Sequence, residues 1–380
     1  MTRSTRPSGG KAEADVRTDE LWAAVMAGDE YAATDIVMAA LDGGMDPEAL
    51  LMDVIAPLQA RVGQEWAANR ITVAQEHTAT AVTERVIGAV AHHPAVRRRG
   101  SATEGEPGRV AVACIDGEWH ALPARLLAEV LRLRGWRVDY LGAQVPTPHL
   151  IAHLHRTRPA AVALSSSIPT RLPDAHAAIT ACQATGTPVM VGGAAYGPGG
   201  RYAARLGADA WEPDARAAAD RLARGLPEPR PHRPADDLPH LADQTYTHVT
   251  RTAPRLVRHV LEGLRARVPA MADYTVEQRD RTAEDVSHIV DFFATALYLD
   301  EPDLFTGFMA WTIDILAARD VPPQVLLPVF DLLAEQLADY PRATELLSRG
   351  RTAVQEHKPA TPAANPEATH NGHPTDPAGE

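Results

Sequence analysis

The stretch Arg109-Val-Ala-Val-Ala-Cys-Ile-Asp116-Gly-Glu118-Trp-His120 decides the fold. Its apolar run, residues 110–115, reads as a buried strand, and helix-like periodicity resumes at Ala121. His120 thus falls just past the carboxyl end of a first parallel strand, where open α/β sheets bind ligands. Glu118, two residues earlier, is placed to hydrogen-bond one ring nitrogen while the other stays available to a metal. Asp116 opens the same loop.

Outward from this stretch, strand-like and helix-like runs alternate. Strands are expected at 110–115, 138–141, 161–165 and 189–192, with a short one near 208–211. Helices are expected at 121–134, 147–156, 171–184, around Ala203 and at 214–224. Such alternation specifies a parallel, doubly wound, flavodoxin-like (Rossmann-type) domain at 107–225. Residues 16–95 carry apolar positions at helical spacing (Leu21, Trp22, Val25; Ile36, Val37, Ala40; Leu50, Leu51, Val54, Ile55, Leu58, Val62) and read as a four-helix bundle. Residues 1–15 read as disordered and 93–108 as a polar linker. Four prolines at 226–238 mark a linker at 226–240. Residues 241–357 contain no convincing strand and read as an all-α domain, with helices at 245–267, 275–299, 303–318 and 323–338 and another near 342–354. The tail, 358–380, reads as disordered.

Composition narrows the function. The 380 residues carry a formal net charge of -12, which disfavours direct nucleic-acid binding. No run approaches membrane-spanning length and the basic start lacks the apolar core of a signal peptide, so a cytoplasmic location is expected. Cys114 and Cys182 both fall in predicted core elements, against a disulfide framework. Lysine occurs only as Lys11 and Lys358, in the tails, so Schiff-base chemistry of the retinal or pyridoxal phosphate kind is excluded from the folded part.

The third strand ends in Leu164-Ser165-Ser-Ser167 and the fourth in Val191-Gly192-Gly193-Ala194. A ligand across the sheet's carboxyl edge meets His120, then these hydroxyls, then a glycine pair that permits close backbone approach. Ser165 serves equally well as a strand-end hydrogen-bonding residue. Together these residues resemble the cobalamin-binding domain of methionine synthase, corrinoid proteins and cobalamin photoreceptors. That family carries an acid-x-His-x-x-Gly loop, a serine motif and a Gly-Gly pair at the same three strand ends. The resemblance implies that His120 is the lower axial ligand of cobalt, replacing dimethylbenzimidazole, whose nucleotide tail inserts beside Ser165, Ser167, Gly192 and Gly193. Two departures stand out: Glu118 where many members have Asp, and Pro123 where many have Gly.

In the predicted bundle, Trp66 ends one helix and, after nine residues, Glu76-His77 begin the next. An indole offers a flat apolar lid, and the Glu/His pair offers hydrogen bonds to a sugar or base. This pattern resembles the CarH-type adenosylcobalamin photoreceptors, and the likeness spans residues 17–225. It implies that Trp66, Glu76 and His77 cap the upper face of adenosylcobalamin. Where those receptors carry a second histidine after the tryptophan, this chain has Ala67, so His77 is the candidate upper ligand after illumination. A helix-turn-helix segment is not expected in the roughly 16 residues before the bundle.

Further on, His288 and Phe292 lie one turn apart, and Leu304, Phe305, Phe308 and Trp311 follow at helical spacing. As a whole the chain resembles the photocobilins, in which such a module is joined to a globin-like helical domain. That implies biliverdin as a second chromophore. It would be held noncovalently, since 241–357 contain no cysteine. His259 and His288 are candidate pyrrole contacts, and Arg255, Arg258 or Arg319 candidate propionate partners. The expectation is a non-enzymatic light sensor, a homo-oligomer that signals to a separate protein effector. Three alternatives stay open: a corrinoid methyl carrier of a methyltransferase system, a dark cobalamin sensor without bilin, and a partner-docking role for 241–357.

Overall fold

The computed structural model describes residues 8–100, 108–228 and 238–357. The tail at 358–380, and the parts of the expected disordered start and linkers at 1–7, 101–107 and 229–237, lie outside the described residues.

The five strands β1 (Arg109–Cys114), β2 (Arg137–Gly142), β3 (Ala161–Ser165), β4 (Val189–Gly192) and β5 (Ala210–Trp211) pair in parallel, in the order β2-β1-β3-β4-β5. This is the flavodoxin-like order expected from the alternation. Cys114 registers with Ser165, and Ser165 with Gly192, so three strands end level and their loops start at one height. Helices α7 (Leu122–Leu133), α8 (Thr147–Thr157), α9 (Leu172–Ala184), α10 (Arg201–Arg205) and α11 (Ala215–Ala223) connect or flank the strands. Because strand side chains alternate, β1 feeds two cores. Val110, Val112 and Cys114 pack with α7 and α11, whereas Ala111, Ala113 and Ile115 pack with α8 and α9.

The first core continues into the amino-terminal helices: α1 (Ser8–Met26), α2 (Glu30–Asp42), α3 (Pro47–Ala49), α4 (Ala56–Ala67) and α5 (Val73–His92). A π-helical stretch, Leu50–Ile55, joins α3 to α4 without a break, so the bundle has four helical rods. Local chemistry sets the starts. Asp29 and Asp46 cap α2 and α3, and Thr72 with Gln75 makes a reciprocal capping box on α5. The bundle is tied to the sheet domain by ion pairs. Arg134 pairs with Glu48, and Arg216 grips both oxygens of Asp53 and reaches Glu48.

Two expectations need correction here. Helix α1 begins at Ser8, inside the stretch read as disordered; Lys11-Ala-Glu-Ala are good helix formers and Ala14 is already buried. The polar stretch after His93 folds at first as α6 (Pro94–Gly100). The His93 ring accepts the Ala95 N–H and binds Asp42 through its other nitrogen, a cap that composition does not reveal.

The second core runs into the carboxyl-terminal helices α12 (Thr245–Arg267), α13 (Val276–Leu299), α14 (Pro302–Ala317), α15 (Leu327–Gln336) and α16 (Pro341–Glu356). No strand occurs among the described residues of this part. It docks on the sheet domain through His176 of α9, which hydrogen-bonds the Tyr298 hydroxyl at 2.7 Å, and through Arg201 and Arg205, which pair with Glu301.

Candidate functional site

The loop after β1 is built around the Glu118 carboxylate, which is fully buried. One oxygen accepts the His120 backbone N–H at 2.9 Å and its Nδ1–H at 2.6 Å. The other accepts from Ser167 N at 2.6 Å, Ile168 N at 3.0 Å and the Ser166 hydroxyl at 3.3 Å. Burial opposes the charge, but these hydrogen bonds outweigh it and bring the Glu118 pKa down to about 2. A carboxylate only accepts, so the proton on His120 is held at Nδ1 and Nε2 presents its lone pair. The His120 side chain is about one-third exposed, so Nε2 can be reached from outside.

The serine loop after β3 is thereby fastened to the histidine loop. The glycine turn after β4 completes the group. Ser166 N donates to Gly192 O, and Ala195 N to Ser166 O. Gly193 has φ +104, and a Cβ there would lie 2.2 Å from Ser166 O, so only glycine fits. Nearby, the hydroxyl of fully buried Tyr196 and the Trp211 indole N–H have no hydrogen-bond partner among the described residues. Burial, then the Glu118 charge, push the Tyr196 phenol upward.

The structure brings together Glu118, His120, Ser167 and Gly193, with Gly192 and Ser165 in the strands beneath. Asp116 is exposed at the mouth of the loop, and Ser165 is a buried strand-end residue. Two participants escaped the sequence reading. Ser166, not Ser165 or Ser167, turns its hydroxyl to Glu118, a choice set by how the chain leaves β3. Trp119 stacks on His120 at 3.9 Å while half exposed; its place between Glu118 and His120 was the available signal.

On the bundle side, Glu76 ends the first turn of α5 and His77 follows it, and the two pair with each other at 2.6 Å. The His77 ring lies 6.4 Å from Trp119, so α5 reaches the histidine loop. Trp66, near the end of α4, faces elsewhere. Its ring neighbours are Trp311 at 6.3 Å and the Arg319 guanidinium at 5.8 Å, rather than His77 or Trp119. The Asn69 side chain donates to Ala318 O, and Arg319 donates to Ala67 O. The expected single rim of Trp66, Glu76 and His77 is thus divided between two neighbourhoods.

Of the bilin candidates, His259, His288 and Arg255 acquire no common partner in the contacts of the described residues. His259 approaches Gln336 and Glu335; Arg255 is exposed; His288 is exposed, with Asp285 and Asp291 as its charged neighbours. The aromatics do gather: Phe292 stacks on Phe308 at 3.7 Å, and Phe308 meets Trp311 at 6.1 Å.

Two family models match the regions that form the bundle and the sheet domain. A B12 binding domain model matches residues 108–223, and a second B12 binding domain model matches residues 18–91. The chain therefore carries a cobalamin-binding module. That module is similar to part of the HTH-type transcriptional repressor CarH of Myxococcus xanthus, 31% identical over 188 residues, 48% of this chain and 59% of that protein. The repressor CarA of the same organism is 31% identical over 199 residues, 50% of this chain and 62% of that protein. The trimethylamine corrinoid protein of Methanosarcina barkeri is 25% identical over 144 residues, 38% of this chain and 65% of that protein. The chain thus spans less than two thirds of these relatives. The solved monomethylamine corrinoid protein of Methanosarcina barkeri matches with TM-score 0.47 and 18% identity over 55% of this chain and 97% of that one, too distant to carry an argument.

The residues present fit a corrinoid. No cluster of three or more His, Cys, Asp or Glu suited to a metal occurs among the described residues. A single imidazole with one open nitrogen suits a metal whose remaining ligands come from a macrocycle. The Gly193 turn and the orphaned Tyr196 and Trp211 groups suit a polar ligand at the same sheet edge.

Proposed function

We propose that the chain is a light sensor that holds adenosylcobalamin between the α1–α5 bundle and the carboxyl edge of the sheet. The carrying observation is the Glu118–His120 pair, which leaves Nε2 as an open donor in a loop fixed by five hydrogen bonds. His120 would hold the cobalt through Nε2, and Gly192 and Gly193 would let the ligand's nucleotide tail approach the backbone beside the serine loop. Bound adenosylcobalamin supplies a cobalt–carbon bond that light breaks. Glu76 and His77 would line the bundle side of the ligand from α5, with the His77 imidazole as the further residue that would hold the metal after illumination. Trp66, turned toward Trp311 and Arg319, passes movement of the bundle to the carboxyl-terminal helices. Those contacts support an output by conformational or oligomeric change read by a separate protein effector.

Biliverdin is the proposed second chromophore, held without a covalent bond. The aromatic row Phe292, Phe308, Trp311 and Trp66, with the Arg319 guanidinium over Trp66, supports a flat anionic ligand better than Arg255, His259 and His288 do. Titrating biliverdin into the cobalamin-loaded chain is expected to give a shifted red band; an unshifted band removes this part.

The main test loads the full chain with adenosylcobalamin and records absorption before and after green light. A changed spectrum is expected, and His120→Ala is expected to abolish the histidine-ligated form. An unchanged spectrum defeats the photochemical reading. Its rival, a corrinoid methyl carrier, rests on the likeness to the trimethylamine corrinoid protein. A strong preference for methylcobalamin over adenosylcobalamin would favour that rival.

A further inference from the structure

At the far end of α5 from His77, about 22 Å along the helix axis, lies a cavity of about 420 Å³. Its walls come from three elements: Ala91 and His92 of α5, Val96 and Arg97 of α6, and Arg125, Glu129, Arg132 and Leu133 of α7. Three guanidinium groups face one carboxylate, in a chain whose net charge is -12. Glu129, almost fully buried, is shared by Arg125 at 2.8 Å and Arg132 at 2.7 Å. One carboxylate neutralises one of two guanidiniums, and most of their N–H donors are left over. The Nε–H of Arg125 is buried without an acceptor. Arg97 has no acidic partner among the described residues. The His92 ring meets Gly88 O through Nδ1, leaving Nε2 toward other partners.

Helix C-termini attract cations, which accounts for His92 and Arg132. It does not account for Arg125, in the first turn of α7, whose guanidinium also lies 5.4 Å from the Tyr140 ring. Forked donors from α6 and α7, with His92 of α5 beside them, around a nucleotide-sized space are an arrangement that recognises phosphate oxygens.

We propose that this cavity binds a compact phosphate-bearing small molecule, a diphosphate or triphosphate, as a site separate from the cobalamin site. Its walls join the bundle to the sheet domain, so an occupant fixes α5 against α7. The inference does not depend on the chromophores.

The test is calorimetric titration of the full chain with inorganic pyrophosphate, and separately inorganic phosphate, at constant ionic strength. Saturable binding of pyrophosphate, at least tenfold tighter than phosphate, is expected. Arg97→Gln should weaken it about fivefold and the Arg125→Gln/Arg132→Gln pair at least tenfold. Glu129→Gln should tighten it severalfold, by releasing both guanidiniums. Arg281→Gln, a surface arginine on α13, should leave it unchanged. If the α7 variants fail to fold, Arg97→Gln and Glu129→Gln still decide. Absence of saturable binding overturns the proposal, as does equal loss in Arg281→Gln.

Discussion

Replacing Glu118 by glutamine keeps the shape of the side chain and removes one acceptor oxygen. Five donors converge on the native carboxylate, two on one oxygen and three on the other. With the amide oxygen toward His120, the NH2 group faces Ser167 N and Ile168 N and strands both. At about 1–3 kcal/mol for each buried unsatisfied group, the loss is about 2–6 kcal/mol. With the NH2 group toward His120 instead, Nδ1 must accept, its proton moves to Nε2, and the metal-binding lone pair disappears. Linkage gives a second figure. The carboxyl falls from its ordinary 4.5 to about 2, mainly because hydrogen bonds overcome burial, and 2.5 pKa units correspond to about 3 kcal/mol. A depressed folded pKa means the unfolded chain binds more protons between pH 2 and 4.5. This contribution is therefore complete above about pH 4.5 and is lost as pH falls toward 2. Urea unfolding of the apo chain, followed by circular dichroism, should show E118Q less stable by about 3 kcal/mol at pH 7, with the difference shrinking as pH drops. Cobalamin titration should show at least tenfold weaker binding. A loss under about 1 kcal/mol with unchanged cobalamin affinity would refute the role given to this carboxylate.

Other outcomes follow from single contacts. Gly193→Ala places a Cβ 2.2 Å from Ser166 O at φ +104, and should cost about 3 kcal/mol or more in thermal unfolding, with loss of cobalamin binding. Trp311→Ala should quench little in the sheet domain but shift Trp66 fluorescence and cost about 1–2 kcal/mol, since Trp311 is half exposed; an unchanged emission spectrum would remove the contact. Arg216→Ala opens the bidentate grip on Asp53, and limited proteolysis should then cut more readily between bundle and sheet domain, for a stability loss of about 1 kcal/mol.

Much was written locally in the chain. Alternating apolar runs and helical stripes define the parallel sheet and its flanking helices, because period-2 and period-3.6 burial are properties of consecutive residues. Strands β3 and β4 and helix α12 fall where the periodicity places them. The Glu118–His120 hydrogen bond was legible because its two residues stand two positions apart, just past the end of β1. Polar segments were the weak point: Lys11-Ala-Glu-Ala and the turn after His93 fold through burial and capping that their composition conceals.

What tertiary structure alone decided is which distant groups meet. The level ends of β1, β3 and β4 put Ser166, Ser167 and Ile168 on the Glu118 carboxylate, across about fifty residues of chain. Packing of the carboxyl-terminal helices turned Trp66 toward Trp311 and set His259 beside Gln336. Sequence spacing fixes which side chains share a face of one element; only docking of elements fixes which faces touch, because that depends on the shape of both surfaces at once.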